Sequence, residues 1–184
     1  MRIHIILIAL AAIACTSCAD FETGIDKRLN LKSINNQIGE TVPDLMVGAQ
    51  CPGTQQVSVE FVEEGKGKRV LSSFPNIKVR SKDFALSIER YFTEALEEAN
   101  VTVVPTGGKL IKVEIEDASV STGWGPVFAT TKLAVSFPDW NYSAIYTGDA
   151  TSGNIEKGIV WSIHKAIIAC LNDPKVQNHI RCID

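Results

Sequence analysis

Two cysteines near the amino terminus, Cys15 and Cys18, close a short apolar run, and the chemistry that position offers is acylation. Met1-Arg2 gives a positive start, and Ile3 to Ala14 is apolar apart from His4. A bilayer-spanning helix needs about 20 apolar residues. This run is shorter and reads as the h-region of an export signal. Lipid-attachment signals place an aliphatic residue and then two small or tolerant residues before the modified cysteine. Ala12-Ile13-Ala14-Cys15 fits that pattern, whereas Cys15-Thr16-Ser17-Cys18 has good small residues behind an unusual leading cysteine. With Cys15 as the first mature residue, Cys18, Cys51, Cys170 and Cys182 remain, an even set, and exported chains tend to pair their thiols. Cys15 is the predicted site of palmitate-type acylation, with Cys18 the alternative and a cleaved signal without lipid a third outcome. The signal then spans residues 1–14, or 1–17 in the alternative.

The remaining thiols point to a disulfide. Cys170 and Cys182 flank Asp173-Pro174, where a short helix could fold back on the preceding one and bring them into bonding range. Closing that loop would add roughly 3 kcal/mol in the chain-entropy model. Rival pairings join Cys51 to either cysteine. Other chemistry is thin. His164 and His179 lack metal-ligand spacing to cysteines or carboxylates, and no phosphate-binding glycine loop or nucleophile elbow occurs. His164 and Cys170 lie six apart, off a common helix face. Glu114, Glu116 and Asp117 could supply the paired acids of glycoside hydrolysis, although alternating acids on a strand ordinarily form a solvated face. Neither cofactor nor metal is expected, and the chain reads as a non-enzyme. Its formal charge is −3, which argues against nucleic acid as a partner. Lys66, Lys68 and Arg69 form a tight basic cluster after Glu63-Glu64. It reads as a solvated hairpin tip, with an anionic head group or glycan as the sharper alternative.

The best binding candidates are aromatic. Trp124, Phe128, Phe137, Trp140, Tyr142 and Tyr146 fall around two turns, Gly123-Trp124-Gly125-Pro126 and Pro138-Asp139. Trp and Tyr join apolar area to a polar handle and dominate binding hot spots. Trp124, Trp140 and Tyr142 are the candidate partner-binding residues. Phe137 and Tyr146 are the expected core members, and strand-end packing is the plainer reading of all six.

These residues need a scaffold. Residues 15–41 read as a lipidated terminus and tether, polar and without sustained period; about 20 flexible residues would span roughly 25 Å. The alternative is that Leu29, Leu31, Ile34 and Ile38 dock on the domain. Residues 42–184 form one domain. Val57, Val59 and Phe61 alternate with Ser58 and Glu60, a half-buried strand. Val70-Leu71 and Ile77–Val79 are further extended pieces. A helix capped by Ser81 carries Phe84, Ile88, Phe92 and Leu96 on one stripe and stops at Asn100, a residue that tolerates the left-handed conformation. Val101–Val104 follows as a short strand, parallel to the first across a right-handed crossover. Extended stretches at Lys109–Val120, Val127–Phe137 and Asn141–Ala150 form an antiparallel meander. A second helix covers Asn154–Leu171, and Asp173-Pro174 starts a short one. The predicted class is α+β: a mixed, mainly antiparallel sheet of about five strands, two helices on one face and a short C-terminal helical hook.

This order of elements, the terminal cysteine signal, Ala95-Leu96-Glu97-Glu98-Ala99-Asn100 before Val101-Thr102-Val103-Val104, and the closing Leu171-Asn172-Asp173-Pro174-Lys175-Val176 resemble the small YajG-like lipoproteins of the Gram-negative envelope, over about residues 57–180. The resemblance implies an outer-membrane, periplasm-facing, lipid-anchored accessory or assembly factor, and no functional residue beyond the acylated cysteine. Thr16 and Ala19 follow the two candidate cysteines, and neither is the Asp associated with inner-membrane retention. The expected partners are the membrane, through the lipid, and another envelope protein or a glycan. A structural subunit of a secretion, motility or transport assembly is the alternative, and an enzyme acting on envelope polymers a further one.

Overall fold

The computed structural model describes residues 21–22, 34, 37–46, 49, 56–62, 68–73, 76–122 and 125–182. Its strands are β1 (Phe21–Glu22), β2 (Gln56–Phe61), β3 (Lys68–Ser73), β4 (Asn76–Arg80), β5 (Thr102–Val103), β6 (Lys109–Ser121), β7 (Val127–Phe137) and β8 (Tyr142–Ser152). The helices are α1 (Ser81–Glu98), α2 (Ile155–Leu171) and α3 (Pro174–Arg181). The main sheet has five strands in the order β5-β2-β6-β7-β8. β2 is parallel to both β5 and β6, and β6, β7 and β8 form the antiparallel meander. The α+β reading and its five strands hold. The extended pieces at Val70-Leu71 and Ile77–Val79 build a second sheet, ordered β1-β4-β3.

Alternation decides which face of the main sheet is covered. Along β7 the odd residues Val127 to Phe137 are buried, and along β8 the even residues from Tyr146 to Ser152. In β6 the phase changes: Ile111, Val113 and Ile115 are buried, then Ala118 and Val120. A bulge between Ile115 and Asp117 makes the switch, because one extra residue opposite Leu133 and Lys132 turns every later side chain over.

Both helices pack on this face. α1 buries Phe84, Ile88, Tyr91, Phe92, Ala95 and Leu96. Its cap differs from expectation: Ser81 is already helical, Arg80 precedes it without a side-chain cap bond, and Arg80 pairs with Asp83 at 2.8 Å. A carboxylate in the first turn suits the positive end of the helix dipole. Asn100 takes the left-handed conformation, φ 64°, as its type allows. α2 is capped by Asn154, whose Oδ1 accepts from the Glu156 and Lys157 amides. It is buried on more than the single stripe expected, since Ser162, His164 and Ile168 are buried along with Ile159, Ile163 and Ile167. A helix apolar on most sides needs cover on most sides. β7 and β8 lie against it, α1 lies beside it, and Lys165 reaches Glu40 at 3.9 Å. Ile34 is fully buried, and Ile38 and Val42 pack on the core, so part of the segment read as tether is docked. Gly148 lets β8 approach α2 closely, for a Cβ there would meet Ser162 O at 2.0 Å. Among the described residues no helix is long and apolar enough to cross a membrane.

Candidate functional site

β7 ends at Phe137, Pro138–Trp140 forms one 3-10 turn, Asn141 takes φ 52°, and β8 begins at Tyr142. Proline fixes the first residue of that turn, and asparagine accepts the left-handed one. The reversal brings Phe137 opposite Tyr142 in register, with ring centroids 6.2 Å apart. Trp140 lies 4.6 Å from the Tyr142 ring and stacks on His179 of α3 at 4.8 Å with the planes 6° apart. Phe137, fully buried, forms the floor, edge-on to both Trp140 and His179. Trp140 stays 38% exposed.

Asp173 fastens this cluster. Tyr142 and Tyr146 stand four apart on one face of β8, and their hydroxyls donate to Asp173 Oδ2 at 2.9 Å and 2.7 Å. The other carboxylate oxygen accepts from the Lys175 amide at 2.8 Å and caps α3. Lys175 Nζ lies 5.5 Å from the Tyr142 ring centroid, a cation–π contact. Burial works to raise the Asp173 pKa, but the hydrogen bonds from Tyr146, the Lys175 amide and Tyr142 outweigh it and hold the carboxyl below its ordinary value. Tyr146 is pushed far up by burial, then by its neighbours Tyr142 and Asp173. For Tyr142 the Tyr146 hydroxyl acts downward, while burial and the Asp173 carboxylate prevail and raise it. Both phenols are therefore fixed donors at neutral pH. At the far end of α3, Lys109 Nζ donates to His179 O and lies 3.0 Å from Cys182 Sγ. Arg181 ties the helix to the carbonyls of Leu45 and Asp44.

The geometry sorts the candidates. Trp140 and Tyr142 come together, and Phe137 and Tyr146 are buried as expected. Phe128 is 54% exposed on the opposite face of the sheet, away from the cluster. Trp124, Cys15, Cys18 and Lys66 lie outside the described residues. Glu114 and Glu116 are exposed, and Asp117 faces Lys132 at 3.8 Å. Arg69, expected at a solvated tip, belongs to β3 and donates to the Ile115 carbonyl at 3.2 Å. In the sequence His179 is legible only as a metal ligand without partners, and Asp173 only as a helix cap.

The expected Cys170–Cys182 disulfide does not form. Cys170 is a free, buried thiol, pushed up by burial and then by Asp173, which makes it a poor nucleophile. Cys182 is disulfide-bonded, and its partner is not among the described residues. The reason is length. Eight helical residues carry the chain on the order of 12 Å from Asp173 to Cys182, beyond the roughly 7 Å that a disulfide bridges. The other long run of backbone is β8, which pairs with β7 on one side only among the described residues. Gln37 and Ile38 flank its Asp149–Thr151 end.

No family model matches the sequence, and no curated protein does. Two solved structures are loosely similar. A PelC variant dodecamer from Paraburkholderia phytofirmans aligns at TM-score 0.35 and 13% identity, over 63% of this chain and 86% of its own. A minor lipoprotein from Acinetobacter baumannii aligns at TM-score 0.34 and 9% identity, over 70% of this chain and 93% of its own. Neither likeness carries a residue, a partner or an activity over to this chain.

Proposed function

We propose that this chain is a lipid-tethered binding or assembly module of a bacterial envelope, anchored through Cys15 at the outer membrane and docking on another envelope component through Trp140 and Tyr142. The supporting observation is the Trp140–Tyr142–His179 cluster. Its outer indole is partly exposed while its base is pinned by Asp173, so an aromatic anchor is presented with little entropy left to lose on binding. Cys15 acylation, with Cys18 as the alternative, rests on the signal-like amino terminus. In-cell crosslinking from position 175, whose side chain lies beside the Tyr142 ring, followed by pull-down and intact-mass analysis, tests both parts. The expected result is a diacyl or triacyl addition on an N-terminal Cys15 and one crosslinked envelope partner that Trp140→Ala loses while the melting temperature stays nearly unchanged. A soluble unacylated chain overturns the anchor, and capture unaffected by Trp140→Ala overturns the surface.

A second reading, a structural subunit of an envelope assembly, draws on β8. Its eleven-residue edge carries one charged residue, Asp149, and so little of the charge that usually blunts an exposed edge. Strand addition there would be sensitive to a proline in β8 and indifferent to Trp140→Ala.

A further inference from the structure

On the face of the main sheet opposite the helices lies a groove of about 430 Å³, between the 105–108 loop and the Pro138–Trp140 turn. That volume falls within the roughly 300–1,000 Å³ of small-molecule sites. Ser58 and Glu60 reach it from β2, Leu110 from β6, and Thr106 and Asp139 from the two turns. The register sets Ser58 beside Leu110 and Glu60 beside Lys112. Ser58 is only 7% exposed, yet its hydroxyl has no hydrogen-bond partner among the described residues. Its oxygen is not among the buried polar atoms left without a partner, so it still reaches the groove and is open to whatever fills it. Asp139 accepts the Leu110 amide on Oδ2 at 3.3 Å, and its Oδ1 has no hydrogen bond among the described residues. Gly107 and Gly108 have φ of 86° and 71°. A Cβ on Gly108 would strike Gln56 O at 2.3 Å, whereas one on Gly107 would meet nothing within 4 Å, so bare backbone faces open space.

The geometry points to a binding site for a neutral sugar. Carboxylates that accept, hydroxyls that both donate and accept, and apolar strips from Pro105 and Leu110 match a ligand with hydroxyl donors around its rim and C–H faces between them. Two carboxylates repel an anion. Lys112 meets Glu60 at 3.3 Å, which leaves Asp139 as the one uncompensated charge and makes a poor cation cage. The site is distinct from the aromatic face. Trp140 is absent from its lining, and the reading does not rest on partner docking there.

Saturation-transfer NMR on the full-length protein in detergent, with maltose, cellobiose and di-N-acetylchitobiose as probes, tests it. At least one disaccharide should bind saturably with Kd of about 1 mM. Ser58→Ala and Asp139→Asn should each weaken it about tenfold, the cost of one polar contact, with melting temperatures unchanged. Trp140→Ala should leave it intact. If none of the three binds at about 10 mM, or binding survives both groove variants, the sugar site is refuted. Binding lost only in Trp140→Ala also refutes it and assigns sugar to the aromatic face instead.

Discussion

Replacing Asp173 by alanine removes three contacts at once. The helix α3 loses its cap on the Lys175 amide, and the Tyr142 and Tyr146 hydroxyls lose the one carboxylate oxygen they share. A cap is worth about 1 kcal/mol, and a hydrogen bond to a charged group about 1.5–3 kcal/mol. Tyr142 is only half-buried and can turn to water, so its share is small; Tyr146 is buried and its hydroxyl would be left unpaired. The expected loss is about 4 kcal/mol, or roughly 8–16 °C in Tm for a domain of this size. Asp173→Asn keeps an acceptor and a cap and should lose about half as much. Urea unfolding followed by circular dichroism measures both variants, and a double-mutant cycle with Tyr146→Phe should give a coupling energy of about 1–2 kcal/mol. Trp140 fluorescence should change with Asp173→Ala even below the unfolding midpoint, because α3 also carries the His179 ring on which the indole stacks. A loss under about 1 kcal/mol, or zero coupling with Tyr146→Phe, would show that Asp173 does not fasten the cluster.

Gly148→Ala should drive β8 and α2 apart, because the new Cβ would sit 2.0 Å from Ser162 O and 2.4 Å from Ala166 N. Overpacking against backbone costs about 3 kcal/mol or more, read as a lower urea midpoint, and a neutral result would mean that the close approach is absent in solution. Thiol labelling of the native protein should leave Cys170 unreacted until denaturant is added, and non-reducing peptide mapping should show Cys182 linked to a cysteine other than Cys170; a peptide joining those two would contradict the structure. Burial lowers His164 from 6.5 to about 4. The unfolded state therefore takes up a proton first, and stability should fall by roughly 3 kcal/mol as pH drops from 6.5 toward 4. Asp173, whose folded pKa is depressed, contributes stability above its unfolded value near 3.8 that is lost as pH falls through the folded one. Urea midpoints between pH 7 and 4.5 should flatten in His164→Gln, and an unchanged slope would remove His164 as the cause.

The strands of the meander were legible because alternation is a local signal. Even the bulge left a trace, since the apolar residues step from Ile115 to Ala118 and change parity. The short strand after Asn100 and the Asp173-Pro174 helix start were readable for the same reason, as turn and cap chemistry lie within a few residues. What failed was tertiary. Arg69 looked like part of a charged turn because nothing local shows that β3 lies near β6. The Cys170–Cys182 pairing took a short sequence separation for a short distance, and a straight helix forbids that. Asp173 clamping two tyrosines, and Ser58, Thr106 and Asp139 meeting in one groove, come from segments dozens of residues apart. Periodicity has nothing to say about them.

The placement of β2 bears on how the chain folds. Val57 pairs with Val103 on one side and Lys109 on the other, so the strand that appears first in the main sheet waits for partners made about fifty residues later. Loops of that length are slow to close. A chain emerging amino terminus first would hold β2 with two open edges until β5 arrives and with one until β6 follows, and α1 could form early without closing the sheet. That interval is when the chain is most exposed to aggregation. Chaperone dependence should therefore track mutations that slow α1 or the 105–108 turn more closely than mutations in β7 or β8, whose partners follow within a few residues.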